Sequence, residues 1–448
     1  MNDKRVLFYA EIMLILLSMF AALVIAVVPQ SSQVVIDVCL FVYLAIIYVN
    51  FRREKTFNIY QVWIVGFIFI VWSEMCIICD SNNNTSSYVV PFCRFILANA
   101  CVLLGYNIKQ KSPTPTIYTI SKDNGWFPLL LIVLAAYYIY SKLPSVISVY
   151  TQGRGTVLSN TMGSGSLVGA LRGAIGMLVP SMIAYYMKIV KKKSIFVALI
   201  LSLPICLLQL FGGTRYRFLF SVLPVMIVLG LFNIKKGEKN RIIMLLSLVV
   251  VILVLTTFVK ENRSLGFGDA QITFFEENER YTTKRATVKL ARQFSPEGVV
   301  KMARMSDVYF RDHRLHYGKE SSIILYFWFP RSWWTNKPTQ LDYWLIREYQ
   351  TVPDQFSTAS GFIGELRADF GWGCLLFVFL FGILLKKIDL YSSAVFKSGS
   401  DVFNVVLISV LYPWAFFFVR SPITSTMSLV WQLLIFFAFR MLFASKKK

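Results

Sequence analysis

Three stretches of this chain carry residue types that do chemistry together. In "FGGTRYRFLF" (211–220) a double glycine makes a tight turn and two arginines, Arg215 and Arg217, open the next apolar run. At i and i+2 they project roughly 200° apart on a helix, so one of them, with Arg215 ahead, faces a common cavity. In "ASGFIGELRADFGWG" (359–373) Glu365 and Asp369 are spaced i, i+4 and share a helix face, with Arg367 on another. A carboxylate so placed can take the proton of an attacking hydroxyl, and Glu365 is the better placed of the two. In "FPRSWWTNKPTQLDYW" (329–344) Arg331 and Lys337 accompany Trp333, Trp334 and Trp344 between stiffening prolines at 330 and 338. Guanidinium and ammonium groups suit phosphate oxygens, whereas the tryptophans suit sugar faces or a membrane interface.

Other chemistries find little footing. The seven cysteines all lie in or beside apolar runs, so neither a disulfide framework nor a zinc site can be built in the hydrophilic segment. Cys76 and Cys79 form a CxxC inside an apolar run and read as packing. The only histidines, His313 and His316, lack a third metal partner at recognisable spacing and read as exposed loop residues. No Asp-x-Asp occurs, and Glu277 with Glu279 makes only a lone Glu-x-Glu, so we expect no metal and no cofactor.

These residues must be positioned by a membrane bundle. Of 448 residues 56% are hydrophobic and 16% charged, more apolar surface than a soluble domain can hide. Apolar runs at about 6–28, 33–51, 59–79, 88–106, 125–145, 166–188, 194–211, 216–234, 242–260, 370–387, 403–419 and 425–444 predict an all-α polytopic integral membrane protein with about twelve spans. The first run is too long for a signal peptide and is expected to be retained. The net charge of +22 sits in short clusters between runs rather than on a nucleic-acid-binding face. With twelve spans, all the basic clusters, from "NDKR" to the terminal "KKK", fall on one side, which places both termini in the cytoplasm. The chain then divides into spans 1–9 (1–260), a large extracytoplasmic loop (261–369) and spans 10–12 (370–448). Within the loop, "TTKRATVKLARQF" reads as a helix along the membrane interface. "SPEGVVKMARMSDVYF" reads as a helix capped by Ser295.

Ionisable residues at membrane depth are expensive and mark sites. Glu74, Arg94, Arg172, Arg215, Arg217, Glu365, Arg367, Asp369 and Arg420 fall in the outer halves or mouths of spans, with Glu11 the inner exception. One-sided clustering predicts a cavity open to the outer leaflet rather than an ion path.

A dozen spans, one large external loop, "GGTRYRF", "FPRSWWTNKP" and "SGFIGELRADFGWG" together resemble the bacterial polysaccharide repeat-unit polymerases of the Wzy type. The topology is similar over the whole chain and the motifs over 211–220 and 329–373. The resemblance implies a GT-C-like, metal-independent glycosyltransferase of the bacterial inner membrane with its active face in the periplasm. It would join undecaprenyl-diphosphate-linked repeat units into O-antigen or a related surface polysaccharide, with a chain-length regulator and a flippase as further candidate partners. Arg215, Arg217, Arg331 and Lys337, helped by Arg172 and Arg420, would hold the diphosphate. Trp334 would meet sugar, and Glu365, with Asp369 second, would act as base. An O-antigen ligase shares the substrate class and the large loop. A flippase would lack that loop, and a secondary transporter would want broken helices in matched halves near the midplane, for which the sequence shows no internal symmetry.

Overall fold

The computed structural model describes residues 3–54, 58–81, 85–113, 118–120, 126–161, 167–211, 215–230, 286–294, 298–326, 334, 336, 338–349, 359–398, 402–421 and 427–446. Nearly all of them are helical, as expected where no water is at hand to satisfy peptide groups. Among the described residues, eight helical stretches are long and apolar enough to cross a membrane: Lys4–Val27, Pro29–Glu54, Ile59–Asp80, Thr85–Tyr106, Trp126–Val149, Arg172–Val190, Gly361–Phe396 and Phe403–Arg420. Three shorter apolar helices, Ile195–Phe211, Phe218–Val228 and Gln432–Phe443, lie at further expected positions. The expected span at 242–260 lies outside the described residues. The burial pattern of α1 (Asp3–Val27) is inside-out for a soluble protein: Met13, Phe20 and Leu23 are exposed while Glu11 is fully buried. Hydrocarbon is the solvent for such a face.

The chain forms two compact units. The first comprises Met1–Ser112, Glu279–Leu390 and Ala415–Met427. In it α1 packs on α2 (Ser32–Glu54) and on α5 (Val89–Tyr106). A single span is built from α3 (Ile59–Phe67), a π-helical turn and α4 (Ser73–Ser81). α3 starts with a capping box between Asn58 and Gln61. Arg53 meets Glu11 at 2.9 Å, Asn107 donates to Glu11 at 3.1 Å and Tyr106 donates to Asp389 at 2.5 Å. Glu11 is thus part of a buried polar network, the usual resolution for a charge placed at that depth.

Among the described residues of the large loop are four short helices, α10 (Ala286–Phe294), α11 (Val299–Asp312), α12 (Lys319–Tyr326) and α13 (Leu341–Tyr349). α10 forms where expected, with Val288 and Ala291 fully buried, and it packs on α4, with Arg292 reaching Asp80 at 3.2 Å. α11 begins at Val299, and Ser295, the expected cap, lies outside the described residues. Gly298 takes a left-handed φ of 83°, and the helix amides of Val300 and Lys301 each donate to Glu74 of α4 at 3.0 Å. A carboxylate from a membrane helix supplies the cap that local sequence was expected to give. Met302, Phe310, Leu341, Leu345 and Ile346 of these helices form a small core with Ala368.

α14 (Gly361–Phe370), a 3-10 turn at Gly371–Gly373 and α15 (Cys374–Ser398) follow as one interrupted helix, and α16 (Val402–Arg420) comes next. A Cβ at Gly105 of α5 or Gly382 of α15 would overlap the backbone of the other helix, so the glycines permit a close crossing.

The second unit comprises Pro113–Asn278, Tyr391–Trp414 and Ser428–Lys448. Here α6 (Trp126–Thr161), α7 (Leu167–Tyr185), α8 (Ile195–Phe211) and α9 (Arg215–Val228) pack on one another around Tyr138, Ile175, Val179 and Ile205. α17 (Met427–Phe443) contributes Gln432, which accepts from Trp414 Nε1 at 3.1 Å. β1 (Tyr118–Ile120) and β2 (Ala444–Lys446) pair antiparallel.

Candidate active site

The geometry of the first unit converges on α14. Gly361 opens this helix at φ 69°, and a side chain there would press to 2.8 Å on the Val419 carbonyl of α16. Gly371 closes it at φ 59°, a conformation that favours glycine. Between these breaks Glu365 and Asp369 are both fully buried, on the shared face their spacing predicts. Burying carboxylates costs several kcal/mol each unless they are hydrogen-bonded.

For Asp369 the compensation is visible. Its carboxylate accepts from Glu320 N at 3.0 Å, Ser321 N at 2.8 Å and Ser321 Oγ at 2.5 Å, capping the start of α12 across the fold. The backbone closes the same junction: His316 N donates to the Ala368 carbonyl at 3.1 Å and Tyr317 N to that of Asp369 at 3.0 Å. Asp369→Ala should therefore lower stability by about 1–3 kcal/mol and raise amide exchange over 319–326. An unchanged melting temperature and exchange pattern would contradict the capping role.

The histidines differ in their surroundings. His313 is exposed and stacks on Tyr309. His316 is not an exposed loop residue: it sits half-buried against Phe310 and Trp344, with Nδ1 2.8 Å from Glu320. Burial pushes the Glu320 carboxyl above its ordinary value, against the opposing pull of His316.

Arg367, on the other face of α14, donates from Nε to Asp307 Oδ1 of α11 at 3.1 Å. The same oxygen accepts from Arg94 Nη2 of α5 at 2.6 Å. Three side chains from three membrane-end helices, Glu74, Arg94 and Arg367, therefore hold α11. Asp307 escaped sequence reasoning. The signal was the loop's near balance of fourteen Lys/Arg against twelve Asp/Glu over 261–360, which supplies acids for stranded arginines.

The remaining expected site residues divide between the units. Arg420 ends α16 in the first unit, its carbonyl 3.8 Å from where a Gly361 Cβ would lie. Trp334 belongs to the same unit and is partly exposed. Arg331 and Lys337 lie outside the described residues. In the second unit Arg172 is half-buried on α7, and Arg215 and Arg217 occupy the first turn of α9. The side chains of Arg215 and Arg217, and the turn 212–214, lie outside the described residues. Glu365, Asp369 and Arg420 are thus gathered around one helix, together with Arg94, Asp307 and Arg367.

Apolar helices of spanning length, charges buried and paired inside them, and loop helices docked on their ends define a multi-pass membrane protein. Residues 7–448 match the family model for O-antigen polysaccharide polymerase Wzy, and the chain belongs to that family. It is accordingly a membrane polysaccharide polymerase with a glycosyltransferase-type activity. No curated protein and no solved structure matches it.

Proposed function

We propose that the protein joins undecaprenyl-diphosphate-linked oligosaccharide repeat units into O-antigen or a related surface polysaccharide at the periplasmic face of the bacterial inner membrane. The observation that carries this reading is Glu365: a fully buried carboxylate on a short helix pinned by glycines at both ends, in a chain of the Wzy family. Twelve spans in a GT-C-like arrangement would leave 1–260 and 370–448 in the bilayer, put both termini in the cytoplasm and face the 261–369 loop outward.

In the reaction a terminal sugar hydroxyl of the acceptor repeat unit attacks the anomeric carbon of the donor glycan. The new glycosidic bond forms as the bond to the diphosphate breaks, and undecaprenyl diphosphate departs with the bonding electrons. Glu365 takes the hydroxyl proton, which a carboxylate held in a dry, fixed position does well. Negative charge grows on the leaving oxygen. Arg215, Arg217, Arg331 and Lys337, with Arg172 and Arg420, oppose it as preorganised donors. Trp334 offers a flat apolar surface to a sugar ring. Asp369, with its oxygens engaged by α12, holds the loop against α14 so that Glu365 keeps its place. Metal independence is supported by the absence of Asp-x-Asp and by the abundance of cations to do a metal's work on the diphosphate.

Deleting the gene tests this reading. A polymerase leaves a single-repeat band on a lipopolysaccharide or capsule gel, whereas a ligase leaves unattached polymer on its lipid carrier, which would overturn the proposal.

A further inference from the structure

Arg94 and Arg367 do more than brace α11. Two guanidiniums share one oxygen of a single carboxylate, so the cluster carries a net positive charge. Arg94 is 1% exposed. Arg94 Nε and Nη1, Arg367 Nη1 and Asp307 Oδ2 find no hydrogen-bond partner among the described residues. Leaving a buried cation in excess, with unused forks of N–H donors, is costly. The arrangement fits an anion with more than one oxygen to offer, above all a phosphate.

The surroundings say what carries that phosphate. The Arg94 guanidinium lies 5.2 Å over the Trp372 ring, at the break between α14 and α15. Trp372 is half-exposed, and from it Leu376, Leu380 and Leu384 repeat every fourth residue along α15, all exposed. An aromatic beside arginines at the head of an apolar track matches a lipid with a phosphorylated headgroup.

We propose that Arg94 and Arg367 form a binding site for the phosphate of a lipid, which Asp307 fills as an internal counter-ion until the ligand displaces it. Because the unused N–H groups are themselves buried, a ligand reaches them by taking the carboxylate's place. Displacement frees α11 from α5 and α14 and so couples occupancy to the docking of the loop. The site stands on these three residues and not on the roles given to Glu365 and Arg215.

The test uses the full chain in phosphatidylcholine nanodiscs with farnesyl diphosphate as probe. Wild type is expected to show about tenfold or faster amide exchange over 298–312 once the probe is bound. Asp307→Asn, which removes the competitor, should bind the probe about tenfold more tightly, and Arg94→Gln about tenfold more weakly. Arg94→Lys keeps the charge and should retain part of the response. A second arm replaces the probe with phosphatidylglycerol in the nanodisc. The same acceleration there assigns the site to a bilayer phospholipid, and its absence assigns it to a polyprenyl-type diphosphate. The proposal is overturned if neither lipid changes exchange over 298–312, or if Asp307→Asn and Arg94→Gln shift affinity in the same direction.

Discussion

Polymer formation by the Glu365→Gln variant is expected to fall by about 10²- to 10⁴-fold, the range a positioned general base supplies. Glutamine keeps the shape of the side chain and removes only its capacity to accept the proton, so folding and membrane insertion should be preserved. The loss belongs to turnover: kcat drops while the donor KM stays close to wild type, because the base acts as the hydroxyl attacks and not when the diphosphate binds. Glu365→Asp, which retains the carboxylate on a shorter stem, should recover only a fraction, since α14 is fixed at Gly361 and Gly371 and cannot advance the group. Unchanged turnover in Glu365→Gln would remove this residue as the base.

Arg215→Ala has the second large effect. Loss of one preorganised donor from a developing oxyanion costs about 10²–10³ in rate. Long-chain glycan should disappear from the gel while the protein remains in the membrane at wild-type abundance. Arg215→Lys should be intermediate, because lysine keeps the charge but not the two-pronged geometry for a diphosphate. A normal ladder in Arg215→Ala would exclude the role.

What could be read from the sequence follows from what hydrophobicity encodes. Ionisable residues cannot face lipid, so the apolar runs announce the helices and the misplaced charges announce where side chains must turn inward. Glu365 and Asp369 were legible in this way, since i, i+4 spacing and the flanking glycines are local features. Partnership was not. Arg94 and Asp307 are 213 positions apart, and no periodicity of either segment specifies that they meet. The carboxylate at the start of α11 was illegible for the same reason: Glu74, from a helix more than two hundred residues earlier, accepts from its first amides. Asp369 looked like a second candidate base, and only the fold reveals Glu320 and Ser321 upon its oxygens. Sequence also marked Glu74 and Glu11 as functional by position, whereas their partners, helix amides and Arg53, give them structural work.

On the proposed function, this chain alone joins lipid-linked repeat units. The most direct measurement mixes the purified full chain in nanodiscs with its undecaprenyl-diphosphate-linked repeat unit, in buffer containing EDTA, and resolves the products by length. A ladder whose steps equal one repeat unit, with one undecaprenyl diphosphate released per step, is the predicted result. Repeat units that stay single, or that lengthen only when a divalent metal is restored, would contradict it.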